Sequence, residues 1–254
     1  MSVYIDTLGN GPNLVMLHGW GLHGGIWDGM RERLSQHYTL HLVDLPGHGR
    51  SPNITQAYNL LNVAEAVLEQ APQQAVWMGW SLGGRVAMQS AILAPERVSK
   101  LISVAASPRF LKDEDWPGVE LSVLQGFADS LEQDYKATLL RFLAIQAHGS
   151  ERAKDEIRIL RQGLFAHGEP QLAALRGGLG ILQACDLRQE ISAIKVPSLF
   201  LAGRRDALMP YRVAQLSANM MSQARAVVMD GAGHAPFISH PYEVLHEIRQ
   251  FIDE

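Results

Sequence analysis

Cysteine is almost missing from this chain. Of 254 residues only Cys185 is a cysteine, so no internal disulfide can form, and a reducing compartment is expected. Long apolar runs are missing too; none approaches the ~20 residues that a membrane helix needs. The N-terminal stretch MSVYIDTLGN has no basic region and no apolar core, and it carries Asp6, unlike a secretory leader. The expectation is a cytoplasmic protein with no membrane partner. A basic excess is also lacking: 22 Lys and Arg face 26 Asp and Glu, a net charge of −4. Nothing global points to nucleic acid, so any basic patch must be local. Heme, flavin, nucleotide and phosphate-loop signatures are absent, and the histidines and Cys185 lack zinc-ligand spacing, so no metal and no cofactor is expected. No internal repeat or low-complexity segment stands out.

What is present is ordinary globular material, 47% hydrophobic and 19% charged. The length suits one large α/β domain, or one with an inserted piece, and buries a sizeable core. Strand and helix signals alternate through the first hundred or so residues. VYID and NLVMLHG read as strands around the turn GNGP; RERLSQHY reads as a short helix and LHLVDL as a buried strand. AEAVLEQA reads as a helix, AVWMGW as a strand, RVAMQSAILA as a helix and LISVAAS as a strand. Continuous apolar strands separated by helices predict a mostly parallel sheet covered on both faces. From about Pro108 to Cys185 the alternation stops. Amphipathic stretches such as VLQGFADSLEQDYKATLLRFLAIQ and ERAKDEIRILRQGLF take over. Strands resume with VPSLFLAG and ARAVVMD, and PYEVLHEIRQFIDE closes the chain as a helix. The expected organisation is an α/β core, 1–107 and 186–254, interrupted by a helical cap over 108–185.

Residues 79–84 read GWSLGG, at a strand-to-helix junction. A tight turn needing small residues explains the glycines. A nucleophile held out on a strained turn explains Ser81 as well. A serine hydroxyl needs a base to take its proton, and the base needs an orienting acid. Asp206 follows the strand VPSLFLAG and His234 follows ARAVVMD, where open α/β sheets carry their sites. Singly, Asp206 also fits a helix cap, His234 a satisfied surface histidine and Ser81 a turn. Together, in the order nucleophile, acid, base, they predict a triad. An ester carbonyl under attack becomes an oxyanion that backbone N–H groups must meet. Leu82 follows the nucleophile and supplies one candidate amide. HGWG, residues 18–21, follows an early strand and supplies the other at Trp20, although a plain strand-end turn also fits it.

HGWG, DLPGHGRS (residues 44–51), GWSLGG, GRRDALMP and GAGHAPF together resemble the α/β-hydrolase superfamily. Its α/β-hydrolase fold is therefore expected, with a cap. The serine separates the chain from relatives of that fold with an aspartate nucleophile. A wider set, HGWGLHGGIW, LHLVDLPGHGRS, WMGWSLGG, RFLAIQ, DLRQ and AGHAPFISHP, is similar to the pimeloyl-acyl-carrier-protein methyl ester esterases of biotin synthesis. That resemblance spans nearly the whole chain and implies a serine carboxylesterase. Its substrate would be a diacid chain, held by an acidic acyl-carrier protein at one end and carrying a methyl ester at the other. Motifs shared by many hydrolases leave open a broad short-chain carboxylesterase, a thioesterase, a carbon–carbon bond hydrolase, or a non-catalytic ligand-binding relative.

Such a role needs an apolar channel and a basic rim. Trp20, Trp80, Leu82 and Phe142 are candidates for the lining, with Trp80 equally readable as buried core. The resemblance implies substrate contact by Phe142 and Gln146; Phe142 also reads as a packing residue of a cap helix. Lys154, Arg158 and Arg161 fall at i, i+4 and i+7 on one helical face, beside an apolar stripe of Ile157, Leu160 and Leu164. The resemblance implies carrier-protein contact by Arg141, Lys154 and Arg158, although arginine is expected at position 154. A solvated face balanced by Glu151, Asp155 and Glu156 is the alternative reading. A monomer is expected.

Overall fold

The computed structural model of the chain describes residues 1–54 and 56–254. Among them, seven strands form one sheet in the order β1-β3-β2-β4-β5-β6-β7. The strands are β1 Tyr4–Leu8, β2 Asn13–Leu17, β3 Thr39–Asp44, β4 Ala75–Trp80, β5 Val98–Val104, β6 Ser198–Gly203 and β7 Ala224–Met229. β1 pairs antiparallel with β3 at one edge; every other neighbouring pair is parallel. The patterns follow position. Every residue of the central strand β4 is buried, whereas edge strand β1 is half-exposed. From β2 the chain moves outward to β3, then crosses back to β4 on the other side of β2. The carboxyl ends of β2 and β4 therefore flank a topological switch point, where such sheets place ligands.

The helices outside the insertion are α1 Asp28–Leu34, α2 Leu60–Gln70, α3 Leu82–Leu93, α8 Arg212–Asn219, α9 Pro236–Ser239 and α10 Pro241–Asp253. Between β5 and β6 come α4 Leu121–Gln133, α5 Tyr135–Gln146, α6 Ala153–Gly163 and α7 Leu172–Ala184. No strand interrupts them among the described residues. The chain leaves and rejoins the sheet at adjacent points, where Leu187 N–H donates to Pro108 O (2.9 Å) and Arg109 pairs with Asp186 (3.0 Å). None of these helices is long and apolar enough to cross a membrane.

Three local readings change. RERLSQHY is helical only to Leu34, after which the chain turns into β3. The stretch from Val123 to Gln146 is two helices, because Asp134 leaves helical geometry and its carboxylate caps α5 by accepting from Ala137 N–H (3.0 Å). The helices α7 and α8 add to those the sequence pattern predicts.

The loops at the switch point are stapled by buried polar groups. Leu45 N–H donates to His18 Nε2 (2.9 Å), so the ring is neutral with its proton on Nδ1, which donates to Gly19 O (2.8 Å). His18 thus ties the loop after β2 to the loop after β3. Asp44 accepts from Gly24 N–H (2.6 Å) on Oδ1 and from Arg50 N–H and Nε–H (both 2.9 Å) on Oδ2. Burial, then neighbouring His48, pushes the His18 ring down to about 3, and burial pushes His48 down to about 4. An unfolded chain protonates both near their ordinary 6.5. The stability they confer is therefore complete above that value and drains away as the pH falls toward 4 and 3. We expect the unfolding free energy from urea titrations to drop between pH 7 and pH 4.5, by at most about 1.4 kcal/mol per pH unit for each ring. His48→Gln should show a shallower decline by about one proton. A free energy flat over that range contradicts the account.

Candidate active site

β4 ends at Trp80 and α3 begins at Leu82, so Ser81 alone makes the turn between them. Its backbone stands at φ 54°, ψ −116°. For a residue with a side chain this costs about 1–3 kcal/mol. The flanking glycines make so sharp a turn possible. A Cβ on Gly79 would lie 2.2 Å from Gly83 O, and one on Gly83 would lie 2.5 Å from Leu17 O and His18 O. Backbone fills the space where those side chains would be. Ser81 N–H donates to Val104 O of β5 (2.9 Å), which pins the turn to the sheet.

The structure brings the three expected residues together. Ser81 Oγ lies 2.9 Å from His234 Nε2, and His234 Nδ1 lies 2.7 Å from Asp206 Oδ2. The other Asp206 oxygen accepts from the amides of Leu208 and Met209 (both 2.8 Å), which fixes the carboxylate. A carboxylate beside Nδ1 keeps the ring proton there and turns the Nε2 lone pair toward the hydroxyl. The backbone of His234 is held at both ends. Its N–H donates to Gln146 O at the end of α5 (3.1 Å), and its C=O accepts from Trp80 Nε1–H (2.7 Å). Ser81 is only 5% exposed and the His234 side chain is fully covered.

Trp20 and Leu82 sit on either side of the switch point. The loop carrying Trp20 touches the turn: a Cβ on Gly19 would lie 3.3 Å from Ser81 Cβ. Leu82 is the first residue of α3, so its N–H has no carbonyl one turn earlier. Among the described residues neither amide donates to a backbone carbonyl. The Trp20 indole N–H donates to Leu175 O of α7 (2.8 Å), and its ring meets Phe142 edge-on at 4.9 Å. Phe142 meets Phe127 edge-on at 5.4 Å, so its ring is wedged between two aromatic rings. Gln146 is buried beside His234, with Oε1 left without a hydrogen bond.

Trp80 belongs to the core, with its ring 5.2 Å from Phe237 and 5.7 Å from His234. Its part in holding His234 has no signal in the local sequence, because the partner is 154 residues away. Arg141, Lys154, Arg158 and Arg161 are all exposed on α5 and α6. Arg141 lies over the Phe127 ring (4.9 Å) and donates to Ser130 Oγ (3.1 Å); Arg158 is 3.4 Å from Asp155. Among the described residues Lys154 and Arg161 have no carboxylate partner. Glu156 corrects the solvated-face reading: it is fully buried, unlike Glu151 and Asp155. The signal was available, since Glu156 stands four residues before Leu160 on the same inward stripe.

His23, Asp44 and His167 gather within 4.8 Å, the separation a metal site needs. Their donors are mostly spent. His23 Nδ1 accepts from Gly25 N–H (3.1 Å), its Nε2–H donates to Gly163 O (2.6 Å), and both Asp44 oxygens are taken. His23 and Asp44 are hydrogen-bonded staples, and the His167 ring lies against His23 with centroids 4.3 Å apart. The Trp80 bond is testable: Trp80→Phe leaves a buried carbonyl at His234 unpaired, at a cost of about 1–3 kcal/mol. The expected outcome is a lower melting temperature and slower labelling of Ser81 by a serine-reactive phosphonate. Labelling at the wild-type rate would show that the bond does not position His234.

Comparison with known proteins bears on this geometry. The α/β hydrolase fold family matches residues 12–241. A protein of Aeromonas hydrophila named pimeloyl-[acyl-carrier protein] methyl ester esterase is 47% identical over 253 residues, 99% of this chain and 100% of that one. One of the same name from Xanthomonas campestris is 45% identical over 251 residues, 98% of each chain. Among solved structures, an esterase from Exiguobacterium antarcticum superposes with a TM-score of 0.87 at 22% identity, covering 99% of this chain and 96% of that one. A bromoperoxidase from Bacillus anthracis reaches 0.89 at 21%, covering 99% and 95%. Those structural likenesses speak for the fold. With a serine raised on a strand-to-helix turn, a parallel sheet around it and a family match across most of its length, the chain belongs to the α/β-hydrolase family.

Proposed function

We propose that this protein is a serine carboxylesterase of biotin synthesis. It hydrolyses the methyl ester of pimeloyl-[acyl-carrier protein] to the free pimeloyl carboxylate and methanol. The observation that carries the substrate is identity of 45–47% to relatives of that name, over both the core and the helical insertion. The hydrogen-bonded run from Ser81 through His234 to Asp206 supports the chemistry.

In this reading His234 Nε2 takes the Ser81 proton as Oγ attacks the ester carbonyl carbon. Asp206 keeps the ring oriented and stabilises its charged form. The amides of Trp20 and Leu82 receive the oxyanion, a contact worth about 2.7–4 kcal/mol per donor in such sites. His234 returns the proton to the departing methoxide, releasing methanol and leaving an acyl-serine. Water then attacks with its proton passing to His234, and collapse frees the carboxylic acid and restores Ser81. No cofactor enters any step.

Segment 108–185 acts as the cap. In support, Ser81 is buried, Trp20 is bonded to Leu175 of this segment and a Cβ on Gly178 would lie 3.3 Å from Leu82 Cδ2, so substrate entry requires the helices to part. Trp20, Leu82, Phe142 and Gln146 form the wall along which the acyl chain lies. Arg141, Lys154 and Arg158 meet the acidic carrier and its phosphate, Lys154 as a point charge rather than a bidentate fork. The reading takes the chain as a cytoplasmic monomer, with the carrier protein as its macromolecular partner.

Ser81→Ala should fold normally and lose turnover; unchanged activity overturns the mechanism. Relative kcat/KM on the carrier-bound methyl ester and on free pimelate monomethyl ester tests the substrate. We expect a preference of about a hundredfold, or roughly 2.7 kcal/mol of transition-state binding. It should shrink with added salt and in a Lys154→Glu, Arg158→Glu double variant. Equal rates on both esters would point instead to a broad short-chain esterase.

A further inference from the structure

Helix α6 has two faces of opposite character. Lys154, Arg158 and Arg161 point to solvent, while Glu156, Leu160 and Leu164 point inward. Glu156 is 0% exposed. The Ser150 hydroxyl donates to its Oε1, and its Oε2 has no hydrogen-bond partner among the described residues. Burying a carboxyl so sparsely bonded is costly, and an apolar side chain would serve packing better. Its surroundings indicate what offsets the cost.

Glu156 lies against the loop that carries the catalytic base. A Cβ on Gly233, the residue before His234, would stand 3.8 Å from Glu156 Oε2 and 3.2 Å from Ser150 Cβ. Ser150 bonds the carboxyl, and the Ser239 hydroxyl on α9, His234 and Asp206 are the other polar groups that act on it. Burial pushes the carboxyl above the usual carboxylate range; both hydroxyls and His234 draw it back, and Asp206 opposes them. Of these neighbours only His234 becomes positive during turnover.

We propose that Glu156 is a positioning residue for the ester hydrolysis: a second carboxyl, supplied by the insertion, that holds the His234 loop and stabilises the imidazolium formed when His234 takes the Ser81 proton. The proton stays on His234; Glu156 stabilises it through charge and takes no proton. The proposal rests on the serine-esterase reading above. It makes α6 a physical link between the basic outer face and the base of the triad.

Glu156→Gln keeps the size and an acceptor for Ser150 but removes the charge. Two readouts apply, the NMR titration of the His234 ring and kcat/KM on a small acetate ester across pH. Loss of a nearby negative charge makes His234 harder to protonate. Its titration and the acidic limb of the rate profile should therefore both move to lower pH, by at least about half a unit. At pH 7 kcat should fall about threefold with KM within about twofold. Asp155→Asn, an exposed change on the same helix, should move neither. If Glu156→Gln does not fold, Glu156→Asp, which keeps the charge but withdraws it by one methylene, is read for a smaller shift in the same direction. A variant that only melts lower, with the His234 titration and kcat unmoved, overturns the proposal. If Glu156→Gln shifts the His234 titration but the wild-type protein hydrolyses no ester, only the esterase reading falls.

Discussion

Ser81 occupies a backbone conformation, φ 54° and ψ −116°, that a residue with a side chain keeps only when its surroundings hold it. Here the surroundings are backbone. β4 and α3 close so tightly around the turn that Gly79 and Gly83 leave no room for a Cβ, and the Ser81 amide is bound to β5. The sheet bears the strain, since every residue of β4 is buried and both its neighbours are parallel strands. One constraint has three effects. It lifts the hydroxyl above the carboxyl ends of the strands, opens the first turn of α3 toward it, and brings the loop after β2 alongside.

The insertion is bonded to the loops that carry His234 and Asp206. Gln146 O receives the His234 amide, Glu151 N–H donates to Gly231 O (3.0 Å), and Glu151 pairs with Arg205 (2.9 Å) next to Asp206. Farther along, Leu175 O holds the Trp20 indole and Gly163 O holds His23. Exchanging one such bond for water costs about 0.5–1.5 kcal/mol net. The contacts nearest His234 and Asp206 make the α5–α6 turn part of the support of those two loops.

Much of this was legible in the residues. Apolar strands alternating with helices read directly as a parallel sheet, because burial on both faces leaves a continuous apolar run. Ser81, Asp206 and His234 were legible because each follows such a strand in the order the chemistry uses. Less legible were side chains whose partners are remote in sequence. Trp80 reads as core and is core, yet its indole N–H holds His234. Glu156 reads as one more charge on a solvated helix, and only its place four residues before Leu160 hinted that it turns inward.

The sequence by itself determined the order of elements, the sharp turn at Ser81 and the placing of Ser81, Asp206 and His234 just past strand ends. Those depend on local backbone geometry and on side-chain types at the ends of strands. Tertiary structure alone decided which carbonyl steadies His234, which amides stand free beside Ser81, and which acid on α6 is drawn out of water. Such outcomes depend on the angle at which one helix packs against a distant loop. That angle follows from the summed fit of many buried side chains, and no single stretch of the chain encodes it.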